Sequence, residues 1–158
     1  MDLKFFFLSD RRQRVVFDGT FSSWASITSG VPQGSVLGPV LFCMSIDALV
    51  PHCRNTCVTK YADDVTFIHF VRRPSDDNLQ SEWDNLVAWS RRSGLPINEE
   101  KCRILDIVTK KNFIPSQVVT SSGVFVKQVQ SLTFLGVTFA SDLRWNLHLD
   151  SVYKKAMR

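Results

Sequence analysis

The chain has 158 residues, 44% of them apolar, and a formal net charge of +4 at pH 7. That length suffices for one domain with a real core, and the mild positive charge is compatible with nucleic acid without requiring it. No apolar run approaches the ~18 residues of a membrane span, and Asp2 and Lys4 break the Phe5-Phe6-Phe7-Leu8 run, so an intracellular protein with no membrane partner is expected.

The charged cluster Ser9-Asp10-Arg11-Arg12-Gln13-Arg14 leads into Val15-Val16-Phe17-Asp18-Gly19-Thr20-Phe21. Asp-Gly between β-rich segments predicts a hairpin, because a type I′ turn needs positive φ at both central residues. Taken alone, the cluster reads either as a solvated lead-in or as a contact to a nucleic-acid backbone. Pro32 removes a donor and restricts Val31, and the glycines relax the backbone, so Gly30 through Gly34 is a loop. Ser35 offers an N-cap, Pro39 fits a first turn, and Val40, Leu41, Met44, Ile46, Leu49 and Val50 carry an apolar helix near residues 35–50. A Gly-bearing loop at a helix N-terminus presents free N–H groups, which favour phosphate or base edges. Cys53 and Cys57, with His52 beside them, form the one cluster with the look of a zinc site. No second Cys/His pair follows at a plausible spacing, so reduced thiols are expected.

The stretch Lys60-Tyr61-Ala62-Asp63-Asp64-Val65-Thr66-Phe67-Ile68 sets two adjacent acids between apolar and β-branched runs. It reads as strand, tight turn, strand, with both carboxylates at the bend, Asp63 exposed, and Val65, Phe67 and Leu41 buried. An ordinary hairpin tip accounts for the acids, since Asp bonds the local backbone at turns. A divalent-cation site accounts for them too, since hard ions take carboxylate oxygens. After the polar break at Arg72 to Asp77, Leu79, Trp83, Leu86, Val87 and Ser90 fall at helical spacing, with Gly94 as a stop. Trp83 and Trp89 belong to that helix's covered face. Leu95 to Leu105 is a loop into a strand, Gly123 to Val126 and Leu132 to Phe139 are further strands or a hairpin, and Trp145 to Arg158 begins a helix.

Two of these stretches together carry a resemblance. Ser29-Gly30-Val31-Pro32-Gln33-Gly34-Ser35-Val36-Leu37-Gly38-Pro39-Val40-Leu41-Phe42, followed by Tyr61-Ala62-Asp63-Asp64, resembles the second and third motifs of reverse transcriptases, above all those of non-LTR (LINE-like) retrotransposons. Leu95, Asn98 and Lys101 resemble the fourth motif, and Phe134-Leu135-Gly136-Val137 the fifth, which grips the primer terminus. The resemblance implies an α+β fold, a polymerase palm-like antiparallel sheet packed on helices, incomplete because the first palm strand and the fingers are missing. Residues 1–140 would be a partial palm and 141–158 the start of a thumb or connection helix.

As implied by the family, Asp63 and Asp64 are catalytic and hold Mg²⁺ or Mn²⁺. Gln33, Gly34 and Tyr61 lie on the nucleotide side, with Gln33 and Gly34 against the templating base pair, and Lys101 approaches the leaving pyrophosphate. The implied partners are an RNA template, a DNA primer, deoxynucleoside triphosphates and the remainder of the polymerase chain, in cytoplasm and nucleus. One departure stands out: the family's first motif supplies a further carboxylate, and before Ser29 the acids are Asp2, Asp10 and Asp18, the last already claimed by a turn. Two readings therefore remain open. One is a polymerase fragment that is inactive alone, and the other is a catalytically dead remnant acting at most as a nucleic-acid-binding module.

Overall fold

The computed structural model describes residues 8–28, 30–108 and 115–157. The apolar start at 1–7, Ser29 and Arg158 lie outside them. The chain divides into two compact units, Met1–Ala48 with Lys60–Val65, and Leu49–Thr59 with Thr66–Arg158.

In the first unit, strands β1 (Arg12–Gln13) and β4 (Ala25–Ser26) pair antiparallel outside the hairpin of β2 (Val16–Phe17) and β3 (Thr20–Phe21). The expected type I′ signature is present, with φ of 46° at Asp18 and 74° at Gly19. Helix α1 follows at Leu37–Asp47. Ser35 Oγ accepts the Gly38 N–H at 3.0 Å and donates to the Pro32 carbonyl at 2.7 Å, so it caps the helix from just outside it. Gly38 is buried because nothing larger fits: an added Cβ would stand 2.9 Å from the Pro32 carbonyl oxygen and 2.8 Å from Ser35 Oγ. Helix α1 is apolar on nearly every side, yet Val40 and Met44 are exposed and Leu41 is half-buried, contrary to expectation. The short strands of this unit supply too little surface to cover a helix of that kind.

Strands β5 (Thr56–Tyr61) and β6 (Asp64–His69) pair with each other across a two-residue turn. In the second unit, a 3₁₀ turn at Pro74–Asp76 precedes helix α2, Leu79–Ser93, which ends at Gly94 with φ 69°. Trp83 packs with Val118 and Val126, and Leu79, Leu86, Val87, Ile97, Cys102 and Ile104 close around them. The helical spacing read from the sequence is thus the covered face of α2, with Trp83 buried and Trp89 half-buried. Strand β7 (Arg103–Leu105) pairs parallel with β8 (Lys127–Val129), while β9 (Ser131–Phe134) and β10 (Val137–Ala140) form a hairpin turned by Leu135 and Gly136, φ 48° and 83°. Helix α3 spans Asn146–Ala156.

The fold is a mixture of helices and small sheets, as an α+β reading requires, but three details differ. Among the described residues the strands form five separate two-stranded sheets, one of them parallel, in place of one antiparallel layer. The strands are only two to six residues long, and turns interrupt them before a third partner can add. Of Gly123 to Val126, only Phe125 makes a bridge, to Val119, and the strand proper starts at Lys127. Val65 and Phe67 are half-buried, because a two-stranded ribbon covers little of either face.

Candidate functional site

The tip of the β5–β6 hairpin is built by an unusual backbone choice. Its turn is Ala62–Asp63, and Ala62 holds φ 50°, in the left-handed region that an alanine side chain disfavours. Positive φ at the first central residue alone is the pattern of a type II′ turn. Asp64 does not share the bend as expected: it is the first residue of β6, because the two-residue turn closes before it. Tyr61, Asp63 and Asp64 are all exposed.

Along β5, Thr56, Val58 and Lys60 are covered while Cys57, Thr59 and Tyr61 face solvent. Lys60 donates from Nζ to the Asp47 carbonyl at 2.9 Å, at the C-terminal end of α1. A lysine there satisfies a free helix carbonyl and meets the negative end of the helix dipole. The Asp47 carboxylate is farther, 3.8 Å, and 90% exposed, so the carbonyl bond is the one that counts. The helix that starts from the Pro-Gln-Gly loop is thereby tied to the strand that leads into the acidic tip. In that loop Gln33 and Gly34 are exposed, and Gly34 has φ 78° with open space where a Cβ would be. The glycine serves the backbone conformation and leaves the loop approachable.

The open end of the hairpin is fixed within the second unit. His69 Nε2 accepts the Asn78 N–H at 3.2 Å, which leaves Nδ1 to donate to Thr56 Oγ1 at 2.7 Å. Asn55 donates from Nδ2 to the carbonyls of Phe70, 2.8 Å, and Asp76, 2.9 Å. Glu82, 2% exposed on α2, accepts the backbone N–H of His52 at 3.0 Å and that of Cys53. Burial alone would raise its pKa, but those two N–H groups, with the Cys53 thiol and Thr56 hydroxyl, outweigh it and hold the carboxyl below its ordinary range. The sequence reading missed Glu82. The available signal was its place three residues after Leu79 and beside Trp83, an acid set into the apolar face of a helix.

Of the six residues singled out, Gln33, Gly34, Tyr61, Asp63 and Asp64 belong to one unit, and Lys101 to the other. Lys101, in the stretch read as a loop into a strand, ends a 3₁₀ turn, Glu99–Lys101, because Asn98 Oδ1 accepts its N–H at 3.2 Å and winds the chain before β7 begins. Its side chain is exposed. Among the described residues no group of three or more His, Cys, Asp or Glu is set to hold a metal ion, and Cys43, Cys53, Cys57 and Cys102 are free thiols. Neither Asp63 nor Asp64 has a hydrogen-bond or ion-pair partner among the described side chains. Two adjacent, exposed, unpartnered carboxylates, one on the turn and the next opening β6, are a donor set that suits a hard divalent cation.

Residues 4–139 match the family model described as reverse transcriptase (RNA-dependent DNA polymerase). In Drosophila melanogaster the chain is similar to the RNA-directed DNA polymerase from mobile element jockey, 28% identical over 92% of this chain. It is likewise similar to the probable RNA-directed DNA polymerases from transposon BS, 29% over 94%, and from transposon X-element, 30% over 92%. It spans only 16–17% of the length of these relatives. No solved structure matches it.

Proposed function

Because the chain belongs to the reverse transcriptase family, we propose that it is the catalytic-hairpin part of an RNA-directed DNA polymerase of a non-LTR retrotransposon. In this reading residues 1–140 are a partial palm and 141–158 the start of a thumb or connection helix. The observation that carries it is the exposed, unpartnered pair of Asp63, on a turn with positive φ at Ala62, and Asp64, which opens β6, in the same unit as the Pro-Gln-Gly loop.

Asp63 and Asp64 would hold Mg²⁺ or Mn²⁺. Bound there, the metal supplies activation of the primer hydroxyl and charge neutralisation on the triphosphate. Gln33 and Gly34 present backbone to the templating base pair and the incoming deoxynucleoside triphosphate, and Tyr61 flanks the same space. Lys101 neutralises charge on the departing pyrophosphate. The partners are an RNA template, a DNA primer and the remainder of the polymerase chain, which contributes the further carboxylate that two-metal chemistry requires. The setting is cytoplasm and nucleus. No described helix is long and apolar enough to cross a membrane.

A second reading, a catalytically dead remnant that only binds nucleic acid, draws on the lack of a three-ligand metal group among the described residues. Extension of a DNA primer on an RNA template, by a polymerase in which this segment is spliced into its place, separates the two. Extension supports the first reading, and a folded but inert product supports the second.

A further inference from the structure

The polar break between the β5–β6 hairpin and α2 carries a group that the polymerase reading does not use. In Arg72-Arg73-Pro74-Ser75-Asp76-Asp77 a serine follows two arginines, with one proline between. Arg72, Arg73 and Ser75 are exposed, and neither guanidinium has an ion-pair partner among the described residues. Arg73 is extended, as the proline after it favours. Ser75 lies in the 3₁₀ turn Pro74–Asp76, closed by the Asp76 N–H to the Arg73 carbonyl at 2.9 Å and the Asp77 N–H to the Pro74 carbonyl at 3.3 Å. An exposed turn held by two such bonds opens at little cost. The Ser75 hydroxyl donates to Asp76 Oδ1 at 3.4 Å.

We propose that Ser75 is a phosphorylation site for a protein serine kinase that selects arginines ahead of its target. A kinase cleft lined there by carboxylates gains two cations and breaks no ion pair of this chain. A cleft that selects acids after the serine meets Asp76 tied down: its Oδ2 accepts the Arg73 N–H at 3.1 Å and its carbonyl accepts Asn55 Nδ2 at 2.9 Å. Adjacent arginines also precede Ser93, but that serine ends the 15-residue α2 and donates to the Ser90 carbonyl at 3.2 Å, so presenting it means unwinding a helix. In the transfer, the Ser75 oxygen bonds to the γ-phosphorus of ATP as the bond to the β–γ bridging oxygen breaks. ADP leaves, and the hydroxyl proton passes to the kinase's own base. Modification removes the Ser75 donor and sets a charge of about −2 beside Asp76, which the solvent-exposed arginines offset only weakly. The turn thereby loosens its hold on Asn55, whose carbonyl accepts the Phe70 N–H at 2.8 Å, and the open end of the β5–β6 hairpin is freed.

The test is treatment of the 158-residue chain with ATP and either the catalytic subunit of cAMP-dependent protein kinase, which takes serines preceded by arginines, or an acidophilic casein kinase. Fragmentation mass spectrometry of the wild-type product locates the phosphate. The first enzyme is expected to modify Ser75 and to leave Ser93 unmodified. Arg72→Gln combined with Arg73→Gln is expected to lower kcat/KM for that reaction at least roughly tenfold, and Ser75→Ala to abolish it, with a melt of each variant alongside. Hydrogen exchange of the segment containing Phe70 is expected to speed up about fivefold on phosphorylation, as for the loss of one hydrogen bond, and to stay unchanged in kinase-treated Ser75→Ala. The proposal is overturned if the phosphate maps elsewhere while Ser75 stays unmodified, if the double arginine variant is modified as fast as wild type, or if only the acidophilic enzyme acts. Unchanged exchange at Phe70 in the phosphorylated chain overturns the loosening of the turn. None of these readouts uses primer extension, so this inference and the polymerase reading fail separately.

Discussion

Glu82 shows how one side chain fixes the entry to the hairpin and makes the protein sensitive to acid. Its carboxylate gathers the His52 and Cys53 N–H groups, which lie in the loop that feeds β5. Since its folded pKa is depressed from the ordinary 4.5, its stabilisation is complete above that value and is lost as pH falls through the folded pKa. Asp106 acts in the opposite sense: burial, then repulsion by Asp77, raises its pKa, so it is relieved on acidification. Glu82→Gln should therefore lower stability by about 1–3 kcal/mol near neutrality. In denaturant melts taken from about pH 7 down to pH 3, the gap between Glu82→Gln and wild type should close in acid. A constant gap across that range would mean that the carboxylate charge is not what holds the loop. Nothing local announces this clasp, because its partners lie about 30 residues apart in sequence. The turn at Asp18-Gly19 and the stop at Gly94 were legible, by contrast, because each is decided by the φ preferences of neighbouring residues.

Helix α1 shows the same division between what is local and what is not. Its position followed from Pro32, Ser35 and Pro39, but the reason for Gly38 did not, since a glycine inside a helix reads as a weak point. The structure gives the reason: the Pro32 carbonyl crosses so close that a Cβ would meet backbone. Gly38→Ala should cost about 1–3 kcal/mol through overpacking, although alanine is intrinsically the better helix former by about 1 kcal/mol. The clash moves the Pro-Gln-Gly loop itself, so primer extension should fall with stability. A thermal melt of Gly38→Ala at or above the wild-type midpoint would refute the packing argument. The parallel partnership of β7 with β8 lay out of reach for a related reason: three-residue strands announce extended backbone and not which neighbour they will take. The loop into β7 was legible, but the 3₁₀ turn that holds Lys101 was not, because it depends on the Asn98 side chain accepting the Lys101 N–H.

The buried apolar side chains among the described residues are few, Ile46, Leu49, Trp83, Val118, Val126 and Ala140, whereas Val36, Phe17, Tyr153 and Met157 are each at least 65% exposed. Paired ribbons with open edges and this much exposed apolar surface are prone to associate. The 158-residue chain should bind a hydrophobic dye, melt over a broad range and gain mass with concentration. A monomer with a sharp two-state transition would contradict that expectation. The family membership and the acidic tip were legible because motif residues sit close together in sequence, while the arrangement around them depends on contacts that no short stretch encodes. In the proposed polymerase, Asp63 and Asp64 form a metal site for nucleotidyl transfer. Its most direct test is Mg²⁺-dependent extension of a DNA primer on an RNA template by the polymerase carrying Asp63→Asn, with a melt run alongside. Extension should be abolished, with stability within about 0.5 kcal/mol of wild type because an exposed turn acid contributes little packing. Near wild-type extension by a folded Asp63→Asn enzyme would contradict the assignment.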